Sequence, residues 1–311
     1  MAKIIVKNIE TLMLNVLPME RTPTSKGDLA IHPFVAAKYR EKGYDTKPTS
    51  PTEADARGEK SFNGLMSSLP AIRVYPSEGN TVIVADIAPT RYLIGEALRD
   101  LAKSGIYTSE DIKEMSPNMV GVSLVVPVKI KSQYFLLSQI KGKALGSGQI
   151  HAALVAGNID AEYLQYENPL TIALQKESSE ELGMDLSSLD PTSIVYIVDE
   201  KETGQINFAY VAKNANAINI LTAYERNVTP KILKGEELEV MALAKLPVAG
   251  IALVHLSDGS SGLKDVLCYH PTAQGLTKVV EDRGVRPYTQ ATIDYLSKPE
   301  NVKFLLEKAG F

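Results

Sequence analysis

The sequence predicts a mixed α/β protein: a mixed sheet between helices, with an α+β extension at its N-terminal end. Three observations predict it. Between residues 118 and 260, short β-branched and apolar runs recur around a Gly turn and a helical stretch. Asn168–Met184 carries the start signal, unbroken body and stop signal of a helix. Residues 71–103 read as a hairpin followed by a helix and are set off from the rest by Pro117-Asn118. That boundary divides the chain into an accessory unit, 1–117, and a main unit, 118–311, which includes the C-terminal helices.

Composition bounds the answer before any motif does. The chain has 311 residues, 44% hydrophobic and 23% charged, which suits a globular protein with room for two domains. No run of 18 apolar residues exists, and charges interrupt the N-terminal Met1–Glu10 stretch, so neither a membrane span nor a signal peptide is expected. A cytoplasmic location follows by default. The single cysteine, Cys268, excludes an intramolecular disulfide framework and a multi-Cys zinc site. A net charge of −4 argues against nucleic acid as the main partner.

Taken in order, Ile4–Val6 and Leu12–Leu17 are apolar runs that fit strands or a short helix. Pro18 to Ser61 is punctuated by Pro, Gly, Thr and Ser, and Lys47–Lys60 reads as an exposed loop. Ile72–Tyr75 and Thr81–Ile87 form the predicted hairpin. Arg91–Lys103 has helical apolar spacing at Tyr92, Ile94, Ala97, Leu98 and Leu101, and Ser109–Met115 is a second short helix. Val120–Ile130 and Gln133–Ser138 read as a strand pair. Ile150–Val155 is apolar and leads to a turn at Gly157-Asn158. Ser193–Val198, Ile206–Ala212, Val240–Ala244 and Ile251–Leu256 supply further strands. Tyr288–Gly310 reads as two helices broken at Pro299.

In the helix after the Gly turn, Asn168 is the expected N-cap, Pro169 suits the first position and Gly183 the left-handed end. At about 100° per residue, Glu177, Glu180 and Glu181 project within one sector that also holds Leu170, Ala173 and Leu174. The face that is apolar early in the helix turns acidic at its end. Like charges four residues apart repel, and carboxylates at a helix C-terminus oppose the macrodipole; a divalent cation reverses both effects. The plainer reading of the same pattern is a solvated, Glu-rich helix end.

Lys176-Glu-Ser-Ser-Glu-Glu-Leu-Gly-Met184 resembles the core of the Nudix box, whose pattern is Gly, five residues, Glu, seven residues, then Arg-Glu-apolar-any-Glu-Glu-any-Gly-apolar. Glu177, Glu180, Glu181, Gly183 and Met184 match. Val155-Ala-Gly-Asn-Ile-Asp160 looks like the strand and turn that lead into it. Lys176 stands for the family's Arg, Ser178 for an apolar residue and Asn158 for the second Gly. The upstream glutamate is Glu167, with eight residues rather than seven before Lys176.

This resemblance implies a Nudix-like α/β/α sandwich over about residues 118–260. It also implies metal-dependent hydrolysis of a pyrophosphate linkage in a nucleoside diphosphate joined to another moiety, of the nucleotide-sugar or ADP-ribose type. Glu177, Glu180 and Glu181 would hold Mg²⁺ or Mn²⁺, and backbone at Ala156, Gly157 and Asn158 would place the diphosphate or the metal. Lys176 would stand in for the arginine that orients the box carboxylates, without its planar fork. The base that activates water would come from a loop, with Glu237 foremost beside Glu236 and Glu239, and with Glu167 and Glu225 behind them. A homodimer is consistent with the family. Neither nucleic acid nor a membrane is expected as a partner. Three box departures, at Asn158, Lys176 and Ser178, keep open a binding module of the same fold that senses such a ligand without cleaving it. His151 reads as a satisfied strand residue, and Cys268 with His270 as a core thiol near a surface imidazole.

Overall fold

The computed structural model describes residues 2–17, 32–59, 62–77, 80–140, 149–191, 193–200, 204–234, 250–256, 266–272, 275–280 and 284–311. The chain opens with strands β1 (Ala2–Lys7) and β2 (Ile9–Val16), followed by helices α1 (Pro33–Glu41) and α2 (Pro51–Arg57). Strands β3 (Leu65–Ser77) and β4 (Asn80–Arg91) make the expected antiparallel hairpin, longer than predicted, and α3 (Tyr92–Lys103) and α4 (Ser109–Met115) complete this part. Then come β5 (Met119–Ile130), β6 (Gln133–Ile140), β7 (Ile150–His151) and β8 (Val155–Asn158), and helix α5 (Pro169–Glu181). Next are β9 (Ser193–Glu200), β10 (Gln205–Val211), α6 (Ala217–Asn227) and α7 (Thr229–Lys234). Strands β11 (Gly250–Leu256), β12 (Leu267–Thr272) and β13 (Gly275–Val280) precede helices α8 (Pro287–Leu296) and α9 (Pro299–Lys308).

These strands form one mixed sheet in the order β1-β9-β10-β5-β6-β11-β12-β13. Its axis is β5, whose first ten residues are all buried, as befits a strand covered on both faces. From Met119 to Val125 it runs parallel to β10; from Val126 onward it is antiparallel to β6. β8 adds to β5 antiparallel, with Ser123 opposite Ala156 and Val122 opposite Gly157.

The alternation of β5 separates two cores. Val120, Val122, Leu124, Val126 and Val128 share one with Leu170, Ala173 and Leu174 of α5 and with Ile220 and Tyr224 of α6. Val125 belongs to the other, with Tyr288, Ala291 and Tyr295 of α8 and with Val302 and Leu305 of α9. Each fully buried Leu or Val contributes about 1.5–3 kcal/mol of transfer free energy, so α5 is fixed chiefly by its early apolar face. Residues before Asn118 join both assemblies. β1 pairs with β9, and Ile9, Ile83, Ala85 and Ile87 lie in the α5 core.

Several expectations change. Lys47–Lys60 is not simply a loop, because α2 forms within it: the Ser50 side chain accepts from Glu53 N, and Pro51 takes the first position. α1 lies in the stretch that showed no periodicity, with Val35 and Tyr39 packed against Leu93, Ala97 and Leu98 of α3. The apolar run Ile150–Val155 is split between β7 and β8. Helices α6 and α7 fill a stretch for which no element was predicted. The predicted strand Val240–Ala244 lies outside the described residues, as do Glu236, Glu237 and Glu239. Among the described residues no helix is long and apolar enough to cross a membrane.

Candidate functional site

Helix α5 runs over 13 residues and turns its inner face to β8. Pro169 starts it as expected, but the Asn168 side chain makes no capping hydrogen bond. At the other end Gly183 takes φ 64, the left-handed conformation that glycine adopts at little cost. Ser178, which replaces an apolar residue of the resembled pattern, is fully buried, and its Oγ donates to Met184 O at 3.1 Å. Backbone N–H groups of Leu182 and Met184 both reach Ser178 O, so this residue closes the helix end.

The inner face carries Leu170, Ala173 and Leu174 and then two carboxylates, Glu177 and Glu181, at 6% and 4% exposure. Side chains four residues apart lie one above the other on a helix. Both meet the same short strand. Glu181 Oε2 accepts the Ala156 N–H at 3.0 Å. The Glu177 side chain lies against Gly157, where a β-carbon would come within 2.6 Å of its Cγ and nearer still to the carboxylate. Of the three glutamates, Glu180 is the half-exposed one.

Lys176 is turned to the rim. Its Nζ donates to Asp160 at 3.2 Å, and the two side chains are 44% and 29% exposed. Partial burial alone would lower the ammonium pKa, but the charge and hydrogen bond of Asp160, with help from Tyr163 and Glu180, raise it. The ion pair of this position thus goes to Asp160, a residue outside the box.

Asn158 faces away from α5. Its Oδ1 accepts from Gln205 Nε2 at 2.7 Å, and a polar chain continues through Asn207 to the buried Glu200. Its backbone stays in β8, while its side chain serves the opposite side of the sheet. Gly121 leaves room for that chain, since a β-carbon there would stand 3.0 Å from Asn207 Cγ.

One neighbour of the carboxylates escaped the sequence reading. Tyr224 of α6 is 1% exposed, and among the described residues its hydroxyl has no hydrogen-bond partner. Burial raises its pKa, and the nearby charge of Glu181 raises it further. α6 is held there by Asn227, whose Nδ2 donates to Gly183 O at 2.7 Å.

The remaining candidates fall outside this constellation. Glu167 and Glu225 are exposed, and Glu237 lies beyond the described residues. His151 is buried and stacked on Tyr288, with ring centroids 4.7 Å apart, and its Nδ1 is 3.2 Å from Ala153 O, as expected of a satisfied strand residue. His270 is a correction: it is buried rather than at the surface, as is Cys268. Among the described residues no three His, Cys, Asp or Glu side chains are gathered as a metal-holding group. Two buried carboxylates on one helix face nonetheless offer the hard oxygen donors that Mg²⁺ or Mn²⁺ takes, and that of Glu177 fills the place beside Gly157.

No family model matches the chain, and no curated protein matches it either.

Proposed function

We propose that the chain is a Nudix-type pyrophosphohydrolase with an α/β/α core, acting on a nucleoside diphosphate linked to another group such as a sugar or a ribose phosphate. The observation that carries this reading is the burial of Glu177 and Glu181 on one helix face against Ala156 and Gly157. Two carboxylates one turn apart repel, and hard oxygen donors on one helix face suit a divalent cation.

Glu177 and Glu181 would hold that cation, with Glu180 adding a ligand from the more exposed side. When bound, Mg²⁺ or Mn²⁺ supplies charge neutralisation on phosphate oxygens and lowers the pKa of a coordinated water. The chain's own groups prepare the place. The Ala156 N–H fixes the Glu181 carboxylate, Gly157 leaves the room that the Glu177 side chain fills, and Ser178 and Gly183 end the helix so that its last turn stays in register. Lys176, paired with Asp160, adds positive charge at the rim where a diphosphate would approach.

A second reading keeps the fold and the ligand but not the hydrolysis. It is favoured by the pairing of Lys176 with Asp160, outside the box, and by the absence, among the described residues, of three gathered acidic side chains. Phosphate release from a panel of nucleoside-diphosphate-linked compounds, coupled to phosphatase with Mg²⁺ or Mn²⁺, separates the two. Metal-dependent release that Glu181→Gln lowers by orders of magnitude supports the enzyme. Tight binding of the same compounds without release supports the sensor.

A further inference from the structure

We infer that a cleft on the outer side of α5 is an anion site for a small phosphorylated molecule, held chiefly by Arg226 and Lys231. The cleft has a volume of about 660 Å³ and runs between the C-terminal half of α5 and the junction of α6 with α7. Gln175 and Ser179 of α5 line it, and both are exposed. They sit two residues either side of Glu177, about 200° round the helix from it, so the cleft and the buried carboxylates lie on opposite sides of α5. The inference thus does not rest on the proposed hydrolysis.

Charge decides the class of ligand. Among the described residues the cleft is lined by Arg226 of α6 and by Lys231 and Lys234 of α7, the last with a partner of its own, and by one acid, Asp185. Asp185 is already committed: it accepts the Ser187 N–H at 2.8 Å, and that bond together with the Ser187 and Gln175 side chains lowers its pKa. Arg226 and Lys231 have no ion pair among the described residues. A basic residue near the end of a helix is favoured by the dipole, which accounts for each cation singly. It does not account for their meeting, from two helices, across a space shared with two polar side chains of a third.

Two carbonyls in the last turn of α5, and that of Gly183 just beyond it, already accept hydrogen bonds. Ser178 O and Ser179 O accept from Leu182, Gly183 and Met184, and Gly183 O accepts from Asn227. Guanidinium matches phosphate with two parallel donors, and ammonium groups add charge without demanding geometry. An overall charge of −4 disfavours a long polyanion, which leaves a compact molecule with at least two negative charges.

The test uses inorganic pyrophosphate as probe on the full chain in EDTA, titrated calorimetrically at ionic strength matched with NaCl. The expected result is one saturable site, weakened at least tenfold by Arg226→Gln/Lys231→Gln and restored towards the parent by Arg226→Lys/Lys231→Arg. Glu177→Gln/Glu181→Gln should bind the probe like the parent. Both positions changed in the first two variants are exposed, so the fold should stay intact, which a melting curve checks. No saturable binding, binding that ignores the Arg226/Lys231 change, or loss only in the glutamate variant would each overturn the inference. A parent that binds pyrophosphate here and hydrolyses nothing leaves this site standing and removes only the hydrolase reading.

Discussion

The carboxylate of Glu177 occupies the space that a side chain on Gly157 would need. β8 is pinned by its register on β5, with Gly157 opposite Val122, and α5 is pinned by Leu170 and Leu174, so neither partner is free to retreat. Gly157→Ala should therefore force Glu177 off its position. The expected cost is about 1–3 kcal/mol, typical of an overpacked interior, read as a lower melting temperature. Any Mg²⁺- or Mn²⁺-dependent rise in melting temperature should shrink with it. A stable alanine variant with an unaltered metal response would show that the close approach has no bearing on ligand binding.

Glu181→Gln separates charge from shape. The amide keeps the volume and an oxygen that can accept the Ala156 N–H, but it removes one of two buried negative charges. Without metal, the variant should be as stable as the parent or more so, because repulsion with Glu177 is relieved. With metal at about 100 times the parent's Kd, the parent should gain roughly 2.7 kcal/mol and the variant much less. Melting curves in MgCl₂, MnCl₂ and NaCl at matched ionic strength measure both effects. An equal gain in the two proteins would remove the carboxylates from metal binding.

Tyr224→Phe is predicted to raise stability. A buried hydroxyl with no partner among the described residues loses its hydration and gains nothing in exchange, a penalty of about 1–3 kcal/mol. Phenylalanine fills the same space in the core formed with Ile220 and Leu174. Denaturant unfolding should show a gain of about 1 kcal/mol with an unchanged m-value. If the variant is instead less stable, the hydroxyl is serving a water or ligand beside Glu181, and its removal should then also weaken metal-dependent stabilisation.

The predicted elements that recur in the fold had local signals strong enough to survive tertiary context. The runs of β5 and β6 were legible because buried strands are β-branched and continuous, and α5 because Pro169 and Gly183 bracket it. α2 was missed although Ser50-Pro51 followed by Glu53 is a capping signature; a seven-residue helix with no large apolar side chain shows too little periodicity to stand out. The carboxylate face could be drawn from helical spacing, and Glu177 and Glu181 are indeed buried on it. The contact partners could not. Lys176 reaches Asp160, Asn158 reaches Gln205, and Tyr224 approaches from α6, none of which the spacing within α5 encodes. The partner of Ser178 was in plain sight six residues on, at Met184, but only a helix end seen in three dimensions shows the bond.

The last prediction concerns alkaline pH and the other face of the sheet. Tyr196 of β9 and Tyr288 of α8 are both fully buried; Tyr196 OH is 3.2 Å from Thr292 Oγ1, and Tyr288 OH is 2.7 Å from Ser123 Oγ. Burial pushes the Tyr196 pKa up to about 12 from an ordinary value of 10, its hydrogen bonds to Thr292 and Tyr288 working the other way, and burial raises Tyr288 well above the ordinary value. The sign follows from linkage. Below pH 10 both folded and unfolded chains hold the phenol protons, so these groups make stability no more sensitive to pH. Between pH 10 and 12 the unfolded chain releases the Tyr196 proton while the folded chain keeps it, so stability falls as pH rises. By pH 12 that loss is on the order of 2 kcal/mol for Tyr196 alone. Tyr196→Phe removes the titrating group and gives up a buried hydroxyl pair with Thr292. It should be less stable than the parent at pH 8 by about 1 kcal/mol, yet lose less stability between pH 10 and 12. Denaturant midpoints at pH 8, 10 and 11.5 test this; parallel decline of the two proteins across that range would mean that Tyr196 ionises in the folded chain as readily as in water.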